Sequence, residues 1–560
     1  MLEGLQADDG PKMRRALGAW DVTLLGVGAI IGAGIFTTIG TAAAGDALRV
    51  GAGPSLMLSF LVTAVTCGFT AMCYAELAAM VPVSGSAYTY TYAAFGEVLA
   101  WVIGWDLMLE YAISNVAVAV SWANYFRVFL KGIGIDVPLY LAIDYRTAKT
   151  IPGLIEQAPT LFGLPIVLNV LAFSITAALT VLLVYGVRES ARFNAVMVVV
   201  KILVLLLFVG AALSLVPHQT VVENWTPFFP NGWRGTFTGA AIVFFAYIGF
   251  DTVSTVAEET HNPGRTLPLG ILGSLGACTL LYVVVAGVFC GIVSQAHMQD
   301  NLVEVQGEPL TLALRLIAPN KTWITTAVAL GAVAAQTVTL LVYQMGQPRI
   351  FFSMARDGLL PPLFARIHPK YRTPHVTTVL TGALVAVAST FISIEELIDL
   401  TNIGTLFAFG MVCLGIPILR RVNPTQPRPF RVPFGAYALP FIGAAACIFL
   451  MFYLPSTSWW RFFGWLSLGL WVYALYGYHH SHLGRVGGRR QRASARTQLC
   501  RVALACTTVG LFWVPHDSGL LDLWRLSGDA SGQTAIGLGL FALGCVGIAV
   551  AGTGTPQPIA

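Results

Sequence analysis

Lys201 stands in an otherwise apolar stretch, Asn194-Ala195-Val196-Met197-Val198-Val199-Val200-Lys201-Ile202-Leu203. An ammonium carried into a bilayer is expensive, so such a lysine is functional by default and faces the protein interior. Desolvation weighs against its charged form, which gives it the chemistry to load and release a proton in each working cycle. The alternative is a lysine that stays charged and is tied to carbonyls as a fixed cation. Glu110 is its natural electrostatic complement, with Asp106 one turn earlier on the same helical face. Glu110 reads either as a proton relay or contact for a basic ligand group, or as a carboxylate hydrogen-bonded within the fold. Glu76, beside Pro82, reads as a structural or gating group.

Two glycine-bearing interruptions fall at corresponding places, five apolar segments apart: Gly28-Ala29-Ile30-Ile31-Gly32-Ala33-Gly34-Ile35-Phe36 and Phe244-Phe245-Ala246-Tyr247-Ile248-Gly249-Phe250-Asp251. Glycine weakens a helix by about 1 kcal/mol relative to alanine. Unwound backbone at membrane depth is tolerated only where it lines a cavity or site, and paired interruptions point to that site. A broken helix offers free N–H groups at one end and free carbonyls at the other, suited to an anion and a cation respectively. The N–H groups of Gly32, Ala33 and Gly34 are assigned to a carboxylate, and the carbonyls of Ile30, Phe245, Ala246 and Ile248 to an ammonium. An amino acid zwitterion carries both. The competing reading of either motif alone is that its glycines only let helices pack closely; the two in register favour a ligand site. Asp251, directly after the second interruption, is expected to organise the unwound segment, with a direct ligand contact as the alternative.

The elements that position these groups are membrane helices. Charged residues make up 11% of the 560 and hydrophobic residues 56%, with a mean hydropathy of +0.74, against roughly 25% charged in soluble domains. The expected fold class is an all-α integral membrane protein. Apolar windows place spans near 21–42, 54–80, 96–128, 166–187, 193–215, 236–258, 269–297, 323–350, 376–394, 401–418, 437–454, 460–478, 501–515 and 534–553, each long enough or nearly so for a core of roughly 30 Å. Met1 to Asp21 holds charges and no apolar core, so no cleavable signal peptide is expected. Lys and Arg favour the loops on the side of the N-terminus, including Lys12, Arg14, Arg15 and Arg485 to Arg501, which predicts cytoplasmic termini. The chain divides into an N-terminal segment 1–20, a core 21–418 in two halves (about 21–215 and 236–418), helices over 437–478, a basic loop 479–500, and two further helices with a short tail over 501–560. The net charge of +5 suits anionic lipid rather than nucleic acid. The nine cysteines form no CxxC pair, so neither metal nor cofactor is expected. His479, His480 and His482 lack acidic partners and read as interfacial anchors. Asn224-Trp225-Thr226 fits a glycosylation sequon, but Pro227 follows and no weight is placed on it.

Several motifs together resemble a family. They are Gly26 to Phe36, Tyr74-Ala75-Glu76-Leu77, Pro82-Val83-Ser84-Gly85-Ser86-Ala87-Tyr88, Phe245 to Asp251 and Arg356-Asp357-Gly358-Leu359-Leu360-Pro361. From about Trp20 to about His482 the chain resembles the amino acid, polyamine and organocation transporters, in their cationic amino acid transporter branch. The resemblance implies a leucine-transporter-type fold, with spans one to five and six to ten as inverted repeats and helices one and six broken. It implies that Phe245 is a lid over the substrate and that Lys201 fills the space of a sodium ion in sodium-coupled relatives. The expected function is sodium-independent, proton-coupled secondary transport of cationic or small neutral L-amino acids in the plasma membrane, and not enzymatic catalysis. The alternatives are an exchanger without proton coupling and a membrane amino acid sensor. A small single-span partner against the C-terminal helices has no supporting motif, and 497–560 matches nothing in the family pattern.

Overall fold

The computed structural model describes residues 17–46, 49–80, 86–162, 164–186, 191–371, 373–392 and 394–481. The expected spans 501–515 and 534–553, most of the basic loop, His482 and the surface for a single-span partner lie outside the described residues.

Twelve apolar helical segments occupy the first twelve expected places. They are α1 (Ala19–Ala44), α2 (Leu56–Met80), α3 (Glu97–Gly132), α4 (Val170–Tyr185), α5 (Ala191–Leu215), α6 (Gly232–Ser254), α7 (Pro263–Ile292), α8 (Thr322–Arg356), α9 (His375–Phe391), α10 (Ile394–Val422), α11 (Ala438–Met451) and α12 (Ser456–His480). α4 and α9 are the shorter ones, and α11 meets α12 at a bend of 116°. α10 begins earlier than its apolar window because Asp399, in its first turns, is answered by Arg49 from the loop after α1, Nη1 to Oδ1 2.7 Å.

α5 shows how sequence sets facing. Val198, Lys201, Leu205, Phe208 and Ala212 are buried, while Val196, Val199, Leu203 and Leu206 are exposed. The buried set recurs every three or four residues, so it forms one helical stripe, and Lys201 lies in the middle of it.

The helices sort into two packed groups. α1, α2, α6 and α7 pack among themselves, as do α3, α4, α8 and α9. α5 touches α1, α7 and α8; α10 touches α2, α3 and α6. The site therefore forms where the first group meets the second, with α5 and α10 beside it. Between α7 and α8, three short helices, Gln295–Asp300, Leu302–Gly307 and Pro309–Ile317, close over the second half of α1. A Cβ on Gly40 would lie 1.9 Å from the Val305 carbonyl oxygen, so only glycine admits that covering.

Candidate functional site

α1 breaks where its glycines begin. The first half runs Ala19–Ile30, and Ile31 turns the chain out of helical geometry at φ −72°, ψ 89°. The second half resumes as a widened turn, Gly34–Thr38, followed by Ile39–Ala44. Such an end leaves its last carbonyls without helical donors, and two side chains supply them. The Lys201 ammonium donates to the Gly28 carbonyl at 2.6 Å, to the Ile31 carbonyl at 2.7 Å and to Thr339 Oγ1 at 3.0 Å. The Tyr282 hydroxyl donates to the Ile30 carbonyl at 3.0 Å, leaving that oxygen one lone pair. Lys201 is fully buried, and its positive charge lies at the negative end of the half-helix dipole, where a cation is favoured.

α6 breaks in a complementary way. Gly232–Val243 tightens into a 3-10 turn over Phe244–Tyr247, Ile248 is extended, and Gly249 has φ +123° before a second 3-10 stretch begins at Phe250. That φ favours glycine, and a Cβ there would also lie 2.8 Å from the Ala29 carbonyl oxygen. The carbonyls of Ala241 and Ile242 lie just before this tightening. The Asn402 amide from α10 takes both, at 2.9 and 3.3 Å.

The two breaks touch. A Cβ on Gly34 would stand 2.3 Å from Ala246 Cα, so glycine there is required for close approach of the backbones. A Cβ on Gly32 would meet Thr339 Cγ2 at 2.8 Å. Ile30, Gly32, Ala33, Gly34, Phe245, Ala246 and Ile248 are all buried around this junction. The second half of α1 starts here, so its first N–H groups have no intrahelical acceptor. The junction thus presents amide donors from α1 and carbonyls from α6 within one buried space.

Beside it lies a buried acidic group. Asp106 and Glu110 of α3 and Asp251 of α6 are each at most 4% exposed. Asp251 and Asp106 act electrostatically on Glu110, and Thr405 of α10 lies beside it. One oxygen of each α3 carboxylate, Asp106 Oδ2 and Glu110 Oε2, has no hydrogen-bond partner among the described residues. Tyr111 and Tyr343 stand edge to face at 5.7 Å in the same region. Asp251 also caps its own segment, its carbonyl accepting from Ser254 Oγ at 2.6 Å.

Other candidates fall away from this junction. Glu76 accepts from Arg420 Nε at 2.9 Å and from the Val432 N–H at 2.7 Å, tying the end of α2 to α10 and the loop beyond it. His480 stacks on Tyr476 with centroids 4.1 Å apart, and no metal-holding group occurs among the described residues. Asn224 Nδ2 donates to the Gly291 carbonyl at 2.9 Å, so that amide is already engaged. Tyr282, Thr339 and Asn402 are the site residues that sequence reading missed. Their only signal was a polar group inside an apolar run.

The family model described as amino acid permease matches residues 17–488. The branched-chain amino acid permease BcaP of Bacillus subtilis is 44% identical over 483 residues, 86% of this chain and 97% of that protein. The methylthioribose transporter of the same organism is 40% identical, covering 86% of this chain and 98% of its own length. A vacuolar cationic amino acid transporter 4 of Arabidopsis thaliana is 36% identical over 74% of this chain and 65% of that protein.

Proposed function

The chain belongs to the amino acid permease family, whose members are transporters rather than enzymes, and from that premise we propose that it moves L-amino acids by alternating access without sodium. The zwitterion lies between the breaks. Its carboxylate takes the N–H groups of Gly32, Ala33 and Gly34, and its ammonium takes the carbonyls of Ile30, Phe245, Ala246 and Ile248, with Phe245 as the lid. These relatives include ones named for branched-chain and for cationic amino acids. Buried Phe245 and Ile248 suit an apolar side chain, and the buried Glu110 carboxylate suits a cationic one.

The observation that carries the reading is the Lys201 ammonium on the carbonyls of Gly28 and Ile31. It holds the first half of α1 against α5 and α8 as a bound cation would, and a lysine releases that grip by losing its proton. Glu110 is the second proton-handling group. The membrane is the plasma membrane, with both termini cytoplasmic.

One observation favours a second reading, exchange without proton coupling. Gly28, Ile31 and Thr339 account for the three donors of an ammonium, the arrangement of a permanently charged pin. Uptake of radiolabelled L-leucine, L-alanine and L-arginine into sodium-free proteoliposomes separates the readings. Accumulation driven by an inward proton gradient, lost in Lys201→Ala while ligand binding survives, supports coupling. Counterflow without accumulation selects exchange. Strict sodium dependence would overturn the sodium-independent assignment, and absence of uptake and counterflow for all three would overturn transport of these amino acids.

A further inference from the structure

A break in a helix costs hydrogen bonds, and something outside the helix must hold the chain in the broken shape. For α6 that support comes from one face of α10. Asn402 is fully buried and donates both of its amide hydrogens to the last turn before the break, to Ala241 at 2.9 Å and Ile242 at 3.3 Å. Both neighbours are acceptors, so the amino group must face them, and a flipped amide would lose both bonds. Two turns further along the same face, the Phe409 ring meets Phe244, before the break, at 5.7 Å, and Phe250, after it, at 4.9 Å. It also meets Tyr74 of α2 at 5.5 Å. Edge-on and tilted ring pairs at these distances stabilise beyond their area alone. The polar contact thus pins the last turn before the gap, and the apolar contact bridges its two sides.

We propose that α10 is the splint of the broken helix, with Asn402 and Phe409 as positioning residues that hold the carbonyls of Phe245, Ala246 and Ile248 in register for the substrate. The inference rests on the proposed placement of the substrate at the breaks. Asn402→Leu keeps the side-chain size but removes both donors, letting the 3-10 turn relax. Affinity suffers because the carbonyls no longer converge, while the maximal rate at saturating substrate is retained.

The test is substrate affinity of the full chain in detergent, read from thermal stabilisation by L-leucine, L-alanine and L-arginine, followed by counterflow in proteoliposomes. Asn402→Leu is expected to weaken binding about tenfold or more, the loss of two hydrogen bonds, with the ligand-free melting temperature lowered by the two carbonyls left short of a donor. Phe409→Leu is expected to weaken it about threefold by losing the ring contacts. Gly410→Ala, whose Cβ would meet only Cys447 Cβ at 3.9 Å, is expected to bind within about twofold of the parent. Binding within twofold of the parent in Asn402→Leu overturns the splint, as does a maximal rate that collapses in step with the ligand-free melting temperature. Where Asn402→Leu does not fold, Phe409→Leu decides, and unchanged affinity there overturns it. A parent that binds none of the three amino acids refutes the proposed substrates instead, so the two failures are distinguishable.

Discussion

The segment that covers α1 is expected to tighten or loosen with pH through Glu308. This carboxylate starts the helix Pro309–Ile317 and is 2% exposed. Arg127 of α3 and Arg315 approach Glu308 Oε1 at 3.6 and 3.5 Å, and Thr311 donates to Oε2 at 3.3 Å. Glu304 adds a like charge. Burial outweighs both guanidiniums and pushes the carboxyl up from 4.5 to about 7. Its folded-state value therefore lies above its unfolded one, so the protonated form is the one that folding favours. The associated stability is fully present below pH 4.5 and is lost as pH rises through about 7. That gap is worth about 3 kcal/mol, taking 1.36 kcal/mol per pH unit. Glu308→Gln mimics the neutral form. The variant is expected to melt close to the parent at pH 4.5 and above it at pH 8, since a buried ion pair can be less stable than its neutral replacement. Melting of the purified protein in detergent, followed by intrinsic fluorescence across pH 4.5 to 8.5, reads the difference directly. A difference that does not change with pH would refute the reasoning, and so would a variant that melts below the parent at pH 8.

Three further outcomes follow from named contacts. Gly34→Ala places a methyl 2.3 Å from Ala246 Cα, backbone that has little room to yield, so a cost of about 1–3 kcal/mol is expected, with substrate affinity reduced at least tenfold in a binding assay. Glu76→Gln leaves the buried grip on Arg420 and the Val432 N–H half-satisfied; the loss is expected to be about 3 kcal/mol or more, and unchanged thermal stability would contradict it. Lys201→Met removes the charge and every donor to Gly28 and Ile31, leaving two carbonyls short at about 1–3 kcal/mol each. Gradient-driven uptake should vanish in that variant, and a variant that still accumulates substrate under a proton gradient removes Lys201 from the coupling step.

The parts legible in the sequence are those with a local cause. The breaks of α1 and α6 announce themselves through Gly32, Gly34 and Gly249, because glycine is where helices yield. The twelve described helices were readable as apolar runs, and Lys201 stood out because a charge in such a run has few explanations. Its partners were not legible. Thr339 and Tyr282 are common residues in membrane helices, and the carbonyls of Gly28 and Ile31 carry no side-chain signature at all. Asn402 lies 160 positions from Ile242 in sequence, and nothing in Thr401-Asn402-Ile403-Gly404-Thr405 says which carbonyls it faces. The early start of α10 was hidden for a related reason. Asp399 looked like the edge of a loop until Arg49, 350 positions away, supplied its counter-charge.

The two breaks are supported from opposite sides, and that asymmetry bears on how the site opens. The last turn of the first half of α1 is held by α5, α7 and α8 through Lys201, Tyr282 and Thr339, whereas the corresponding turn of α6 is held by α10 through Asn402. A bound metal ion at the first position would leave when the half-helix swings away, and its departure would be driven by its concentration in the adjoining solution. A tethered ammonium has no such exit. Its hold on Gly28 and Ile31 ends only by exchange for other acceptors or by loss of the proton, because a neutral amine makes weaker hydrogen bonds to carbonyls than an ammonium does. On the proposed reading, opening on that side answers to the proton rather than to a dissolved cation. At α6 the hold on the last turn before the break is a neutral amide, which releases or keeps its carbonyls without regard to pH, while the titratable group there, Asp251, follows the break. On the proposed reading, protons therefore act in two places, on Lys201 at the break of α1 and on the Glu110 and Asp251 pair after the break of α6, and coupling and leak are decided between them.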